Sequence, residues 1–255
     1  IFKYLLSNKI ELKRLIWSYS IHGRNDEIIH LLEENKIEPT KDSFIESIKC
    51  HHHDITNYLQ TKYQFNIESE LSFISACLKY HNYQYLPTNF QNEFFFNNLC
   101  KYDYVQLVEI FLNSKIEFDN KGINETPLFL ASKKGNYEIV KLLLKHENNI
   151  DLNAKCTTKS GYYYKEETNE LTPLFISVEK NHTKIVKLLL EQEKLDVNMK
   201  SIFKYQKVNG NFTQIGEKTA LYKAVENENQ EIVRLLLSRK EIDVNSKYII
   251  KEEAP

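Results

Sequence analysis

Thr126-Pro-Leu-Phe-Leu-Ala-Ser-Lys-Lys-Gly-Asn-Tyr-Glu-Ile-Val-Lys-Leu-Leu-Leu144 reads as two short helices joined by a turn. Thr126 offers a side-chain oxygen to the free N–H groups of a first helical turn, and Pro127 fits the next position, where no N–H is needed. Gly135-Asn136 ends that helix, because glycine enters the left-handed conformation without a steric penalty. In the second helix Ile139, Val140, Leu142, Leu143 and Leu144 cover most of the circumference, so burial is required on more than one side. One helix pair cannot supply those sides. Stacked pairs can, and each pair then depends on its neighbours.

The chain repeats this pattern. Thr172-Pro-Leu-Phe-Ile-Ser-Val-Glu-Lys-Asn-His-Thr-Lys-Ile-Val-Lys-Leu-Leu-Leu190 and Thr219-Ala-Leu-Tyr-Lys-Ala-Val-Glu-Asn-Glu-Asn-Gln-Glu-Ile-Val-Arg-Leu-Leu-Leu237 superpose on it. Each copy is followed by Asp, an apolar residue and Asn, at Asp151–Asn153, Asp196–Asn198 and Asp243–Asn245. Upstream the pattern is weaker. Tyr104-Val-Gln-Leu-Val-Glu-Ile-Phe-Leu112 aligns with the second helix, Val108 lying 32 residues before Val140. His22-Gly-Arg-Asn-Asp-Glu-Ile-Ile-His-Leu-Leu32 and His53-Asp-Ile-Thr-Asn-Tyr-Leu59 also read as second helices, with Ile28 and Ile55 27 apart, too short a spacing for a connecting finger.

These residues resemble the ankyrin-repeat family, which carries T-P-L at the first helix, G-N-x-E-I-V-K-L-L-L at the second and D-L-N beyond it. Two departures stand out. Phe129, Phe175 and Tyr222 occupy the place of the family's usual His, and the turn Gly kept at Gly135 becomes Asn181 and Glu228. Trp17-Ser-Tyr-Ser-Ile-His-Gly23 with Ser47-Ile-Lys-Cys-His-His-His53 resembles the uncharacterised helical domain that precedes ankyrin repeats in large protist families. The resemblance implies a mainly α fold, an ankyrin-repeat α-solenoid of about six stacked helix pairs with long β-hairpin fingers. Residues 1–92 would be degenerate ankyrin-like helical repeats and 93–255 the ankyrin repeats proper.

Spacing locates the fingers. Thr126 to Thr172 is 46 residues and Thr172 to Thr219 is 47, against a usual unit of about 33. The excess lies near 154–171 and 199–218. Asn209-Gly210-Asn211 is a strong hairpin signal because Asn and Gly accept positive φ, and Ser160-Gly161 is assigned a similar turn. Lys247-Tyr248-Ile249-Ile250-Lys251 begins a third finger that the sequence leaves incomplete, as a truncation would. Strand side chains alternate between faces, so Tyr162, Tyr163 and Tyr164 cannot all be buried on one side. With Phe203, Tyr205 and Phe212 they are the candidate partner-binding residues, since Tyr combines a large ring with a polar tip. The competing expectation is that neighbouring fingers pack these aromatics together.

Other functions find little support. At 42% hydrophobic and 27% charged the chain is that of a folded protein, and a net charge of −1 supplies no basic field for a phosphate backbone. Neither a membrane-length apolar run nor a signal peptide is visible, so the expected setting is intracellular and cytoplasmic, with no membrane insertion. Cys50, Cys77, Cys100 and Cys156 match no zinc-ligand or disulfide spacing, and no phosphate-binding glycine motif occurs. Cys50-His51-His52-His53-Asp54 invites a metal or nucleophile reading, but adjacent rings on a short turn diverge, and alignment puts the histidines between two helices with Asp54 capping the second. No catalytic residue, metal ligand or cofactor is therefore assigned. The sequence predicts a monomeric, non-catalytic protein–protein interaction scaffold that binds another protein through its fingers and concave helical face. The alternative is a regulatory or spacer segment whose active domain lies elsewhere in a larger protein. An enzyme or metal site around Cys50 ranks below both.

Overall fold

The computed structural model describes residues 15–65, 71–86, 93–113, 125–146, 150–162, 165–207 and 213–253. The chain forms two compact units, Ile1–Phe95 and Phe96–Pro255.

In the first unit α1 (Leu15–His22) and α2 (Asp26–Glu34) form one helix pair, and α3 (Lys41–Lys49) and α4 (His53–Tyr63) the next. Helix α5 (Leu71–Lys79) is followed by a single 3₁₀ turn, Tyr83–Tyr85, in place of a second helix. The starts are capped locally: Asn25 accepts from the Ile28 N–H, and Thr40 and Ser43 form a reciprocal capping box. Trp17, Ile21, Leu32, Phe44, Ile48, Leu59 and Phe73 are fully buried in one cluster. The Trp17 indole donates to the Ile37 carbonyl at 2.7 Å, so its one polar group is satisfied inside that core. Asp54 does not cap α4. His51 takes the left-handed conformation, which puts His52 at the cap position and Asp54 in the first helical turn, paired with Arg24 at 2.8 Å.

The second unit holds α6 (Glu93–Lys101, most of which belongs here), α7 (Val105–Asn113), α8 (Pro127–Lys134), α9 (Tyr137–Lys145), α10 (Pro173–Glu179), α11 (Thr183–Leu190), α12 (Ala220–Glu226) and α13 (Gln230–Leu237). Six full helix pairs thus occur among the described residues. Thr126, Thr172 and Thr219 each accept from the N–H three residues on, as caps of α8, α10 and α12. First helices pack on first helices and second on second, α10 lying between α8 and α12 and α11 between α9 and α13. Ile185, Val186 and Leu189 are accordingly buried. Equivalent residues differ in burial. Val178 and Val197 are 0% and 1% exposed, whereas Val225 and Val244, one unit later, are 58% and 61% exposed.

Seven turns that each follow a first helix share one geometry. Gly135 has φ of 83°, and Arg24, His51, His81, Asp103, Asn181 and Glu228 lie between 47° and 66°. The N–H that follows each left-handed residue reaches the carbonyl five residues back, as in Asn25 to Ser20, His52 to Ser47, Asn136 to Ala131 and His182 to Ser177, closing orphan helix carbonyls. Among the described turns glycine holds this position once. A Cβ at position 135 would come within 2.8 Å of the His182 ring, from the next unit.

Asparagines tie unit to unit. Asn82 donates to the Ile48 carbonyl, Asn136 to Cys100 and Asn227 to Val178, each satisfying the last turn of the preceding first helix. At the D-x-N segments Asn153 donates to the Lys194 carbonyl and accepts from the Asp196 N–H, and Asn198 repeats this with Glu241 and Asp243, both at 2.7 Å. Each Asp side chain meanwhile accepts from the N–H two residues on, holding the Asn in place.

Leu189→Ala removes a side chain buried between α9 and α13 and should cost ~2–5 kcal/mol, seen as a lowered thermal midpoint; an unchanged midpoint would contradict the stacking. Asn198→Ala should cost about 1 kcal/mol, and Asn198→Asp, which keeps the acceptor and loses the donor, an intermediate amount in chemical denaturation.

Candidate functional site

The fingers of the second unit join into one antiparallel sheet, β1 (Cys156–Tyr162), β2 (Lys165–Leu171), β3 (Ser201–Lys207), β4 (Thr213–Lys218) and β5 (Ile249–Glu253), ordered as in the chain. Neighbouring fingers therefore do pair with each other, β2 with β3 and β4 with β5. The expected turn at Ser160-Gly161 is displaced. Both residues lie within β1 opposite Glu167 and Glu166, and the ladder runs on to Tyr162 opposite Lys165, because these three pairs satisfy backbone groups that a turn there would leave unpaired. Asn209-Gly210-Asn211 lies outside the described residues.

Register separates the candidate aromatics by height along the strands. At the base Cys156 pairs with Leu171, and both are buried with Phe129, Phe175 and Ile176. Phe203, opposite Asn169, is half-buried on this cluster with its ring 5.5 Å from that of Phe175. Phe203 therefore has a packing role in the finger base. Lys218 places its ammonium over the rings of Phe203, Tyr222 and Tyr248 at 5.7, 5.4 and 5.0 Å, and pairs with Glu226 at 2.8 Å. Gly216 makes room for that arrangement, since a Cβ there would meet the Tyr248 hydroxyl at 2.8 Å.

Farther out, Tyr205 pairs with Glu167 and Gln214, two residues along β3 from Phe203. Tyr162 occupies the last paired position of β1. Tyr163, Tyr164 and Phe212 lie outside the described residues. The opposite face carries polar pairs such as Lys204 with Glu170 at 2.7 Å.

The first unit presents two polar clusters. Glu33 accepts from Tyr58 and, at 3.0 Å, from Tyr63, and pairs with Lys62 at 2.9 Å. Burial by itself would raise the Glu33 carboxyl, but the hydrogen bonds from Tyr58, Lys62 and Tyr63 outweigh it and hold the group below the usual carboxylate range. Burial first, then the Glu33 contact, pushes Tyr63 up to about 12. Every polar group of this cluster is engaged, which makes it a structural tie between α2 and α4.

The second cluster joins His22, at the end of α1, to Glu46 and Cys50 at the end of α3. The histidine run does not enter it. His51 contacts the Tyr80 carbonyl at 2.8 Å, and its ring and that of His53 meet nearly at right angles. Sequence reasoning missed this grouping although a signal existed: Glu46 and Cys50 are four apart on one helix face, and the 27-residue repeat brings His22 beside that turn. Burial and the Glu46 carboxylate raise the Cys50 thiol, the reverse of an activated nucleophile. Burial likewise raises Cys77, to about 12, and Cys100 and Cys156. None of the four cysteines is disulfide-bonded.

Stacked helix pairs closed by left-handed turns, threonine caps and hairpin fingers match a family model described as "Ankyrin repeats (3 copies)", over residues 71–156, 96–201 and 155–248. The chain belongs to the ankyrin-repeat family. Residues 7–88 match the model described as "Domain of unknown function (DUF3447)", in line with the resemblance of the N-terminal segment. No curated protein matches the chain. Ankyrin repeats generally mediate protein–protein interaction, and no helix among the described residues is long and apolar enough to cross a membrane.

A carboxyl held low in the folded state stabilises the fold above its unfolded pKa of about 4.3 and loses that contribution as pH falls through the folded value. Glu33→Gln should therefore lower stability at neutral pH and flatten the loss of stability between about pH 5 and about pH 3, read from denaturation midpoints.

Proposed function

We propose that this chain is a non-catalytic scaffold that binds another protein through the outer part of its hairpin sheet and the helical face beside it, on an α-solenoid of stacked pairs. The observation that carries this reading is the single five-stranded sheet into which the fingers join. At its base Phe203 is used in packing against Phe175, while Tyr205 and Tyr162 stand at paired strand positions farther along the fingers. Rigid strands present these positions with little conformational freedom left to lose on binding, and Tyr suits such contacts. Glu167, opposite Tyr205 in the register, adds a charge for orienting a partner.

A photo-crosslinking amino acid placed at Tyr162 or Tyr205 should give saturable protein adducts in extract of the native cell, competed away by unlabelled chain. The same group at Tyr19, in the first unit, should not. Tyr162→Ser with Tyr205→Ser should weaken capture of that partner by at least about tenfold with circular dichroism unchanged, as loss of an interface anchor does. Phe203→Ser should lower thermal stability as well. Equal capture by the double variant and the native chain would move recognition off the fingers.

A further inference from the structure

His22 Nδ1 lies 3.0 Å from Glu46 Oε1, Cys50 Sγ lies 3.4 Å from His22 Nδ1, and Cys50 Sγ lies 3.5 Å from Glu46 Oε1. An imidazole nitrogen, a carboxylate oxygen and a thiol sulfur thus form a triangle of nearly equal sides. We propose that this triangle is a binding site for a divalent transition-metal ion of the zinc class, held by three protein ligands with a fourth position open to solvent.

The dimensions support that assignment. Bonds from zinc to nitrogen, oxygen and sulfur of about 2.0 to about 2.3 Å give tetrahedral edges of about 3.3 to about 3.6 Å. The two sulfur edges fall in this range, and the nitrogen–oxygen edge is short by a few tenths of an ångström, which a small rotation of the exposed His22 ring corrects. The donor set selects the metal class. Thiolate and imidazole disfavour magnesium and calcium, and one sulfur among three mixed ligands fits zinc or cobalt better than an iron–sulfur cluster. Three ligands with an open position is also the arrangement that exchangeable and catalytic zinc sites use.

The ligands stand on well-placed backbone. Glu46 and Cys50 are one helical turn apart, and His22 comes from α1, which packs against α3. The open side is wet, the His22 side chain being 67% exposed, so an ion can enter without opening the core. One competitor faces the site. The Lys49 ammonium lies 3.2 Å from both Glu46 oxygens, so the ion must displace it from Oε1; being exposed, it can move and keep Oε2. Binding releases the Cys50 thiol proton to solvent, leaving thiolate and carboxylate to balance the charge of the ion. Since the ligands come from two successive helix pairs, the ion would brace α1 against α3.

The test uses the full chain, treated with chelator and titrated with cobalt(II). Bound as proposed, cobalt gives a thiolate-to-metal charge-transfer band with the strong visible bands of tetrahedral coordination, and one equivalent of zinc removes both. Cys50→Ser should abolish the charge-transfer band. His22→Ala and Glu46→Gln should each weaken binding by more than about tenfold, the least that loss of even an outer partner costs. His52→Ala should leave the spectrum unchanged, and zinc should raise the thermal midpoint of the native chain but not of Cys50→Ser. The proposal is overturned by the absence of a charge-transfer band, or by a band that persists in Cys50→Ser, forms at the same cobalt concentration in His22→Ala as in the native chain, or disappears in His52→Ala. The last outcome would place the ion on the histidine run.

Discussion

A short helix with apolar side chains on more than one side cannot be buried by a single partner, and the second helices of this chain are of that kind. Ile185, Val186 and Leu189 of α11 meet α9 on one flank and α13 on the other, with their own first helix α10 alongside. Burial of each unit is therefore a property of the row. Polar chemistry follows the rule as well. The asparagines of the first two D-x-N segments, Asn153 and Asn198, bond to the next unit, and Asn82, Asn136 and Asn227 each reach back to the previous one.

Within a unit the controlling feature is the left-handed residue that turns one helix into the next. Its hydrogen bonds are backbone bonds, so the geometry survives changes of residue type that erase the sequence pattern. His51, His81, Asp103 and Asn181 are types that tolerate positive φ better than most; Arg24 and Glu228 are not, and are held there by their flanking helices. Among the described turns glycine fills the left-handed position only at Gly135, where an added Cβ would meet the His182 ring. At Asn181 the next unit supplies Asn229 instead, which donates to the Asn181 side chain at 2.9 Å.

The fingers divide their residues between structure and presentation. Phe203, Cys156 and Leu171 anchor the sheet on the helices, and Lys218 and Gly216 fit the last strand against the second finger. The paired outer positions that carry Tyr162 and Tyr205 then stand on a frame already fixed below them. In the first unit, where no finger occurs among the described residues, the polar chemistry gathers at helix ends instead, around Glu33 and around the His22, Glu46 and Cys50 triangle.

The sequence by itself determined the repeat, the threonine caps, the helix pairs and the place of the fingers. These depend on local rules: a capping oxygen, a residue that accepts positive φ, and an apolar period longer than one partner can cover. Much of the degenerate first unit was legible too, because Ile28 and Ile55 keep the period even where the signature residues are lost. What only the tertiary structure decided was who meets whom across units. Strand register moved the first hairpin turn beyond Gly161 and gave Phe203 a packing role; helix stacking brought His22 to Glu46 and Cys50, while the more conspicuous histidine run spread apart. Such encounters are set by the rise and rotation between neighbouring helices and strands, quantities that no single stretch of residues encodes.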